Sequence, residues 1–298
     1  MPTPSIARLF LLGTLLLGCV DPDPQLLAEA EVEQGLTGYQ VVSAETTLDA
    51  AVSKFVEVTC PAGTKALGAG WAALDSTNAI HNSFNASYFE PAYNGVSWAA
   101  FAKLTSGAAP TTWKLRVSVL CSTTTALTGY EVRAAETAVT AVATKDLDNQ
   151  CPSGKRAVGA GWAALDSTSA ILEGNVTYFE PGFNGANWLT RVRNLASFSP
   201  SWKLRTRLIC VNQAALPGYE VVVAETAASS FFAKQVIAAC PAGKKATAAG
   251  WATLDNTSAI LDGAATYSLP AFNGVSWMSN GEVIAPSWKI RSSVICTL

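Results

Sequence analysis

From residue 36 onward, short runs rich in Val, Ile, Tyr, Trp and Thr alternate with clusters of Gly, Pro, Asn and Asp. That is the pattern of β-strands joined by turns. The clearest alternation places Trp113, Leu115, Val117, Val119 and Cys121 on one side of an extended segment and Lys114, Arg116 and Ser118 on the other. Trp202, Leu204, Leu208 and Cys210 repeat it against Lys203, Arg205 and Arg207, and Trp288, Ile290, Val294 and Cys296 repeat it again. Val56, Val58 and Cys60 form a shorter stripe of the same kind. No segment after residue 35 sustains a helical period, so the reading is all-β.

The stripes recur because the chain is an internal repeat. Each copy opens alike, with LTGYQVVSAET at 36, LTGYEVRAAET at 127 and LPGYEVVVAET at 216. Each continues through a Cys-Pro-x-Gly segment, a Gly/Ala-rich strand ending Gly-Trp, an Asn-Gly turn and a closing Trp-Lys-Leu/Ile-Arg strand that reaches a second Cys. The predicted modules span 36–124, 125–213 and 214–298. Each is expected to be an antiparallel β-sandwich of about six strands, with Asn94-Gly95, Asn184-Gly185 and Asn273-Gly274 as hairpin turns. Two arrangements stay open: beads on a string, or closure around a shared pseudo-threefold axis.

The first residues set the address. Leu9–Leu17 is an apolar run too short to span a bilayer, and it follows a short n-region with one Arg, as in an export signal. It ends in Leu16-Leu17-Gly18-Cys19, which resembles the lipobox of bacterial lipoproteins. The resemblance implies a signal peptide at 1–18, cleavage before Cys19, and acyl chains (diacylglyceryl and palmitoyl) on Cys19 holding the protein to a membrane. Residues 19–35 carry acidic residues and no basic one, and read as a solvated tether. The expected location is the cell envelope, lipid-anchored at the outer membrane on its periplasmic side or at the cell surface.

Of seven Cys, the six beyond Cys19 fall two per copy, and an exported chain meets an oxidising compartment. Threefold repetition leaves two natural pairings. One is within copies: Cys60–Cys121, Cys151–Cys210 and Cys240–Cys296. The other is cyclic: Cys121–Cys151, Cys210–Cys240 and Cys296–Cys60. The within-copy set is preferred because each copy then staples its own core, a closed loop contributing roughly 4 kcal/mol on the chain-entropy model.

Charged residues make up only 14% of the chain and the net charge is −2. That argues against an electrostatic nucleic-acid binder, which needs a basic stripe. His81 is the single His and has no counterpart in the other copies, which argues against a Ser-His-Asp or Cys-His catalytic site. No phosphate loop or HExxH zinc motif is present, and no catalytic residue, metal site or cofactor is assigned.

The recurring Cys-Pro-x-Gly, Gly-Trp strand, Trp strand and closing Cys resemble a module of secreted actinobacterial and myxobacterial proteins, which implies a secreted β domain. A six-stranded sandwich ending in an aromatic strand is also similar to H-type lectins, implying trimeric sugar binding. Threefold β repeats with CPxG and a closing Cys are similar to the vitelline membrane outer layer proteins, implying a β-prism, although the Cys spacing there is shorter.

The candidate ligand-binding residues come from the repeats. Trp98, Trp188 and Trp277 follow the Asn-Gly turns and are the candidates for exposed rings that stack on sugars; core packing is the competing reading. Asp75, Asp166 and Asp255 sit in Leu-Asp-Ser/Asn-Thr loops, either as sugar or calcium ligands or as turn formers. Glu90 and Glu180 recur only twice, Leu269 replacing them in copy three, and read as remnants of a site or solvated strand ends. Glu45, Glu136 and Glu225 are expected to pair with Arg116, Arg205 and Arg291. The expected function is a binding or adhesion module for glycans. A structural protein contacting other envelope proteins is the second reading and a hydrolase the third.

Overall fold

The computed structural model describes residues 35–81, 84–104, 112–194 and 201–298. The expected signal peptide, the Cys19 lipidation site and all of the tether before Gly35 lie outside the described residues. Copy one supplies β1 (Gln40–Glu45), β2 (Ser53–Thr59), β3 (Thr64–Leu74), β4 (Phe84–Pro91), β5 (Ser97–Leu104) and β6 (Lys114–Thr123). Copy two supplies β7 (Glu131–Glu136), β8 (Thr144–Gln150), β9 (Lys155–Asp166), β10 (Gly174–Pro181), β11 (Asn187–Asn194) and β12 (Trp202–Asn212). Copy three supplies β13 (Glu220–Glu225), β14 (Ala233–Ala239), β15 (Lys245–Asp255), β16 (Ala264–Pro270), β17 (Ser276–Glu282) and β18 (Trp288–Thr297). Among the described residues the one helical element is a 3₁₀ turn at Gln213–Ala215.

The expected six antiparallel strands per copy are present, and they form three six-stranded sheets. Each copy is divided into two three-stranded halves that pack on one another, and each half continues into a neighbouring copy. Sheet I, ordered β1-β6-β3-β16-β17-β14, joins copies one and three. Sheet II, β2-β5-β4-β9-β12-β7, joins copies one and two, and sheet III, β13-β18-β15-β10-β11-β8, joins copies two and three. The pairing is cyclic, so the copies close around a pseudo-threefold axis. They are repeats within one compact unit, Glu33–Leu298, rather than beads on a string.

The seams between copies are narrow. Only Tyr88↔Ala163 and Phe89↔Trp162 pair across sheet II, Tyr178↔Ala252 and Phe179↔Trp251 across sheet III, and Tyr267↔Ala72 and Ser268↔Trp71 across sheet I. Glycine before each Trp allows this approach: a Cβ on Gly70, Gly161 or Gly250 would lie 2.3, 2.1 or 2.0 Å from a carbonyl oxygen of the neighbouring copy. Trp71, Trp162 and Trp251 then fill the centre, with Trp162 5.2 Å from Trp251 and 4.9 Å from Phe89. Small residues on these strands are therefore what lets three large rings share one axis.

The disulfides follow the within-copy set, Cys60–Cys121, Cys151–Cys210 and Cys240–Cys296. Each ties the end of a strand in one half-sheet to the closing strand of the other half. At the opposite end of the closing strands from these cysteines, Trp113, Trp202 and Trp288 are fully buried, as their stripe predicts, and donate indole N–H bonds of 2.6 Å to the carbonyls of Ala51, Val142 and Phe231. A buried lysine lies over each ring: Lys54, Lys145 and Lys234 sit 5.0–5.1 Å from the ring centres. Their ammonium groups are satisfied by neighbouring carbonyls, among them those of Thr47, Ala138 and Ala227.

The Gly-Tyr pair that opens each copy is a latch onto the preceding copy. Tyr130 donates to the carbonyl of Ala66 at 2.8 Å and Tyr219 to that of Ala157 at 2.8 Å. Tyr39 donates to Ala246 of copy three at 2.7 Å, closing the ring. Burial pushes all three phenols well above their usual pKa. Each ring lies against the turn glycine Gly95, Gly185 or Gly274 of the copy it latches. These turns keep Gly at positive φ while their Asn residues stay at negative φ. The Asn-Gly pairs accordingly sit in the expected hairpin turns, as type I-based loops with a left-handed glycine.

Substitution of two glycines separates close approach from backbone conformation. Gly161→Ala is expected to lower unfolding free energy by about 3 kcal/mol or more, because its Cβ meets backbone that cannot move aside. Gly63→Ala, in open space but at φ +80°, is expected to cost about 1 kcal/mol. Urea unfolding midpoints measure the difference.

Candidate binding surface

Trp98, Trp188 and Trp277 do not line a surface. All three are fully buried in β5, β11 and β17, which corrects their reading as exposed sugar-stacking rings. The physical reason is strand alternation: Trp98, Ala100 and Ala102 share the inward face of β5, and Trp98 packs 5.1 Å from Phe89. Trp188 packs 4.9 Å from Phe179, and the Trp277 indole donates to Ser268 Oγ at 2.7 Å.

Asp75, Asp166 and Asp255 are turn formers in geometry. One oxygen of Asp75 accepts from the Thr77 amide, the Thr77 hydroxyl and the Ala79 amide at 2.7–2.9 Å, and Asp166 and Asp255 repeat this set with Thr168, Ala170, Thr257 and Ala259. The loop then crosses the left-handed region at Asn78, Ser169 and Ser258. The hydroxyl bonds from Thr77, Thr168 and Thr257 do most to hold the three carboxyls below their usual pKa. The structure does not bring these aspartates to the buried tryptophans, and neither set lines the hollows on the sheet faces.

The exposed repeated aromatics are instead Tyr93, Phe183 and Phe272, at 60%, 66% and 74% exposure. They lie one residue before the Asn-Gly pair, on the same hairpins as the buried tryptophans. Being inside the turn, they have left the strand alternation that carries Trp98 inward. An aromatic directly preceding Asn-Gly in all three copies was the available sequence signal.

Beneath these tips lie the seams. Glu90 is fully buried, not a solvated strand end; Arg205 of copy two grips it at 2.7 and 2.9 Å and Arg207 approaches at 3.5 Å. Arg207 also donates to the Pro91 carbonyl at 2.8 Å and stacks 3.8 Å from the Tyr93 ring centre. At the next seam Glu180 takes Arg291 at 3.0 Å and the Ser293 hydroxyl at 2.7 Å, with Arg291 5.9 Å from the Phe183 ring. Burial pushes the Glu180 carboxyl up, against the opposing pull of Arg291 and Ser293. The expected within-copy pairs also form: Glu45–Arg116 at 2.5 Å, Glu225–Arg291 at 3.6 Å and Glu136–Arg205 at 3.8 Å. Arginines two and three thus serve two carboxylates each.

Two of the sheet faces hold hollows. The one on sheet III, about 610 Å³, is lined by Asp146, Asp148, Arg191 and Arg291 among others. That on sheet I, about 350 Å³, is mainly apolar. Among the described residues no group of three or more His, Cys, Asp or Glu is placed to hold a metal ion. No helix among them is long and apolar enough to cross a membrane. No protein-family model matches the chain, and no curated protein is similar to it in sequence.

Glu90→Ala is expected to cost about 3 kcal/mol by leaving the buried Arg207 without its carboxylate and removing one of the two that Arg205 holds, while Glu45→Ala, half-exposed, stays below about 1 kcal/mol. Acid is expected to destabilise the fold as pH falls from about 4 towards 2. Asp49, lowered to about 2 chiefly by its bond from Lys54, and Asp75, Asp166 and Asp255 all have depressed values. Their stabilisation is present above the unfolded value and is lost as pH drops through the folded one. Glu180, raised by burial, works in the opposite direction. Thermal melts of the triple Asp75→Asn, Asp166→Asn, Asp255→Asn variant are expected to show a flatter acid slope.

Proposed function

We propose that the chain is a lipid-anchored envelope protein that binds an extended glycan through three equivalent aromatic-tipped hairpins. The observation that carries this reading is the exposure of Tyr93, Phe183 and Phe272 at matching places. Exposed rings cost solubility and contribute nothing to the core, whereas a ring face beside polar groups stacks on the apolar face of a sugar. Arg207 beside Tyr93 and Arg291 beside Phe183 supply hydrogen-bond donors for hydroxyls or acidic groups. Three weak sites related by a threefold axis would gain affinity on a repeating polymer by multivalency. Export is supported by the three disulfides, which persist in oxidising compartments, and the lipobox-like Cys19 supplies the anchor.

A protein partner is favoured by one further feature. Phe231, Phe232 and Ile284 are 73%, 55% and 93% exposed at one end of copy three, and Val283 bonds to the Phe232 carbonyl, so the three form a patch. A stoichiometric envelope protein bound there would make the chain an assembly component.

The triple variant Tyr93→Ala, Phe183→Ala, Phe272→Ala tests the first reading by retention on immobilised envelope polysaccharides. All three side chains are exposed, so the melting temperature is expected to hold. Each single change is expected to weaken binding up to about tenfold, and the triple change to remove the multivalent gain. Equal retention of wild type and triple variant, or no retention of either, contradicts the proposal.

A further inference from the structure

The three seams share a backbone but not their chemistry. Where Glu90 and Glu180 stand at two of them, Leu269 stands at the third. One further position on that face changes in the same direction, Ile237 replacing Glu57 and Asp148, and beside it Met278 stands where the other copies carry the apolar Ala99 and Leu189. With Leu74, Ile80 and Phe272 these side chains line the hollow of about 350 Å³ on sheet I; its polar groups are Arg116, Ser118 and Asn78 of copy one and Ser276 of copy three. The volume lies in the range of small-molecule sites, which are mostly apolar with a few placed polar groups.

Arg116 occupies the position of Arg205 and Arg291. Those two arginines each reach a carboxylate across the seam and another in their own copy. Arg116 meets Glu45 of its own copy, while the residue facing it across the seam is an alkyl side chain. A guanidinium has five donors in a planar fork and can take a second carboxylate, as Arg205 does.

We propose that this hollow binds a small amphipathic monocarboxylate, its carboxylate on Arg116 and Ser118 and its alkyl or aryl body on Leu269, Met278 and Ile237. The ligand carboxylate takes the role that Glu90 and Glu180 play at the other seams. A second charge on the ligand would find no further cation among the lining residues, so a monocarboxylate is preferred to a dicarboxylate. The inference shares Phe272 with the glycan reading but rests on the sheet face at Arg116, Leu269, Ile237 and Met278, which that reading does not use.

The test is calorimetric titration of the full, oxidised protein with butyrate, hexanoate, octanoate and octanol. One saturable octanoate site is expected, with affinity rising up to roughly fourfold per added methylene. Octanol is expected to bind about tenfold or more weakly, lacking the charge-assisted bond. Leu269→Glu restores the seam carboxylate and is expected to abolish octanoate binding. Ile237→Glu, at an exposed position that is Glu57 in copy one, is expected to do the same if Leu269→Glu does not fold. Arg116→Gln is expected to equalise octanoate and octanol. Polysaccharide retention should be unaffected by Ile237→Glu, which separates failure of this proposal from failure of the glycan reading. No saturable octanoate binding up to about 10 mM, or binding unchanged in both glutamate variants, overturns it. Octanol binding as tightly as octanoate overturns the carboxylate assignment.

Discussion

Everything in this fold depends on how closely three strands can approach one axis. β3, β9 and β15 each bring a Gly-Trp pair to the centre, and the missing Cβ of Gly70, Gly161 and Gly250 is what admits the neighbouring carbonyl. The seams then need only two paired residues each, because the rings of Trp71, Trp162 and Trp251 bury the gap that remains. Hydrophobic burial at the axis and hydrogen bonding at the seam are therefore one event. Neither half of a copy can complete its sheet without a different copy.

Long-range closure of this kind is entropically demanding, and the chain limits the demand locally. Each disulfide joins the two halves of its own copy, so a half-sheet is never free of its partner. Each Gly-Tyr latch reaches back one copy, and Tyr39, at the start, reaches copy three. The first copy thus meets the last through the Tyr39 latch and the close approach of Gly68 to Thr247 and Ala248 as well as through sheet I, and the Leu36 amide donates to the carbonyl of Leu298.

Strand number and the inward face of the closing strands were legible because period-2 alternation reports burial directly in Trp113, Leu115 and Val117, while the disulfide pairing was a preference between two sets, resting on the staple each copy gains. Sharing of sheets between copies was not legible: a repeat signals equivalent units without saying which neighbour completes each edge. The candidate site failed at the Asn-Gly hairpin of every copy for a related reason. Tyr93 and Trp98 flank the same turn, and only the turn length decides which of them has left the strand. Glu90 looked like a strand end because its partners, Arg205 and Arg207, belong to another copy. Lys54, Lys145 and Lys234 are equally hidden from sequence reading, since a lysine over an indole ring is buried for reasons that only the packed sandwich supplies.

The threefold scaffold carries three chemically distinct faces: ion-paired with an arginine-backed tyrosine on sheet II, mixed-charge on sheet III, apolar on sheet I. Differences of this sort accumulate without strain, since the altered side chains point away from the axis. The central claim is that three copies make one cooperative structure. Differential scanning calorimetry of the oxidised protein tests it most directly. A single transition whose van't Hoff and calorimetric enthalpies agree is the predicted result. A van't Hoff enthalpy near one third of the calorimetric value, the signature of three modules melting independently, would contradict it.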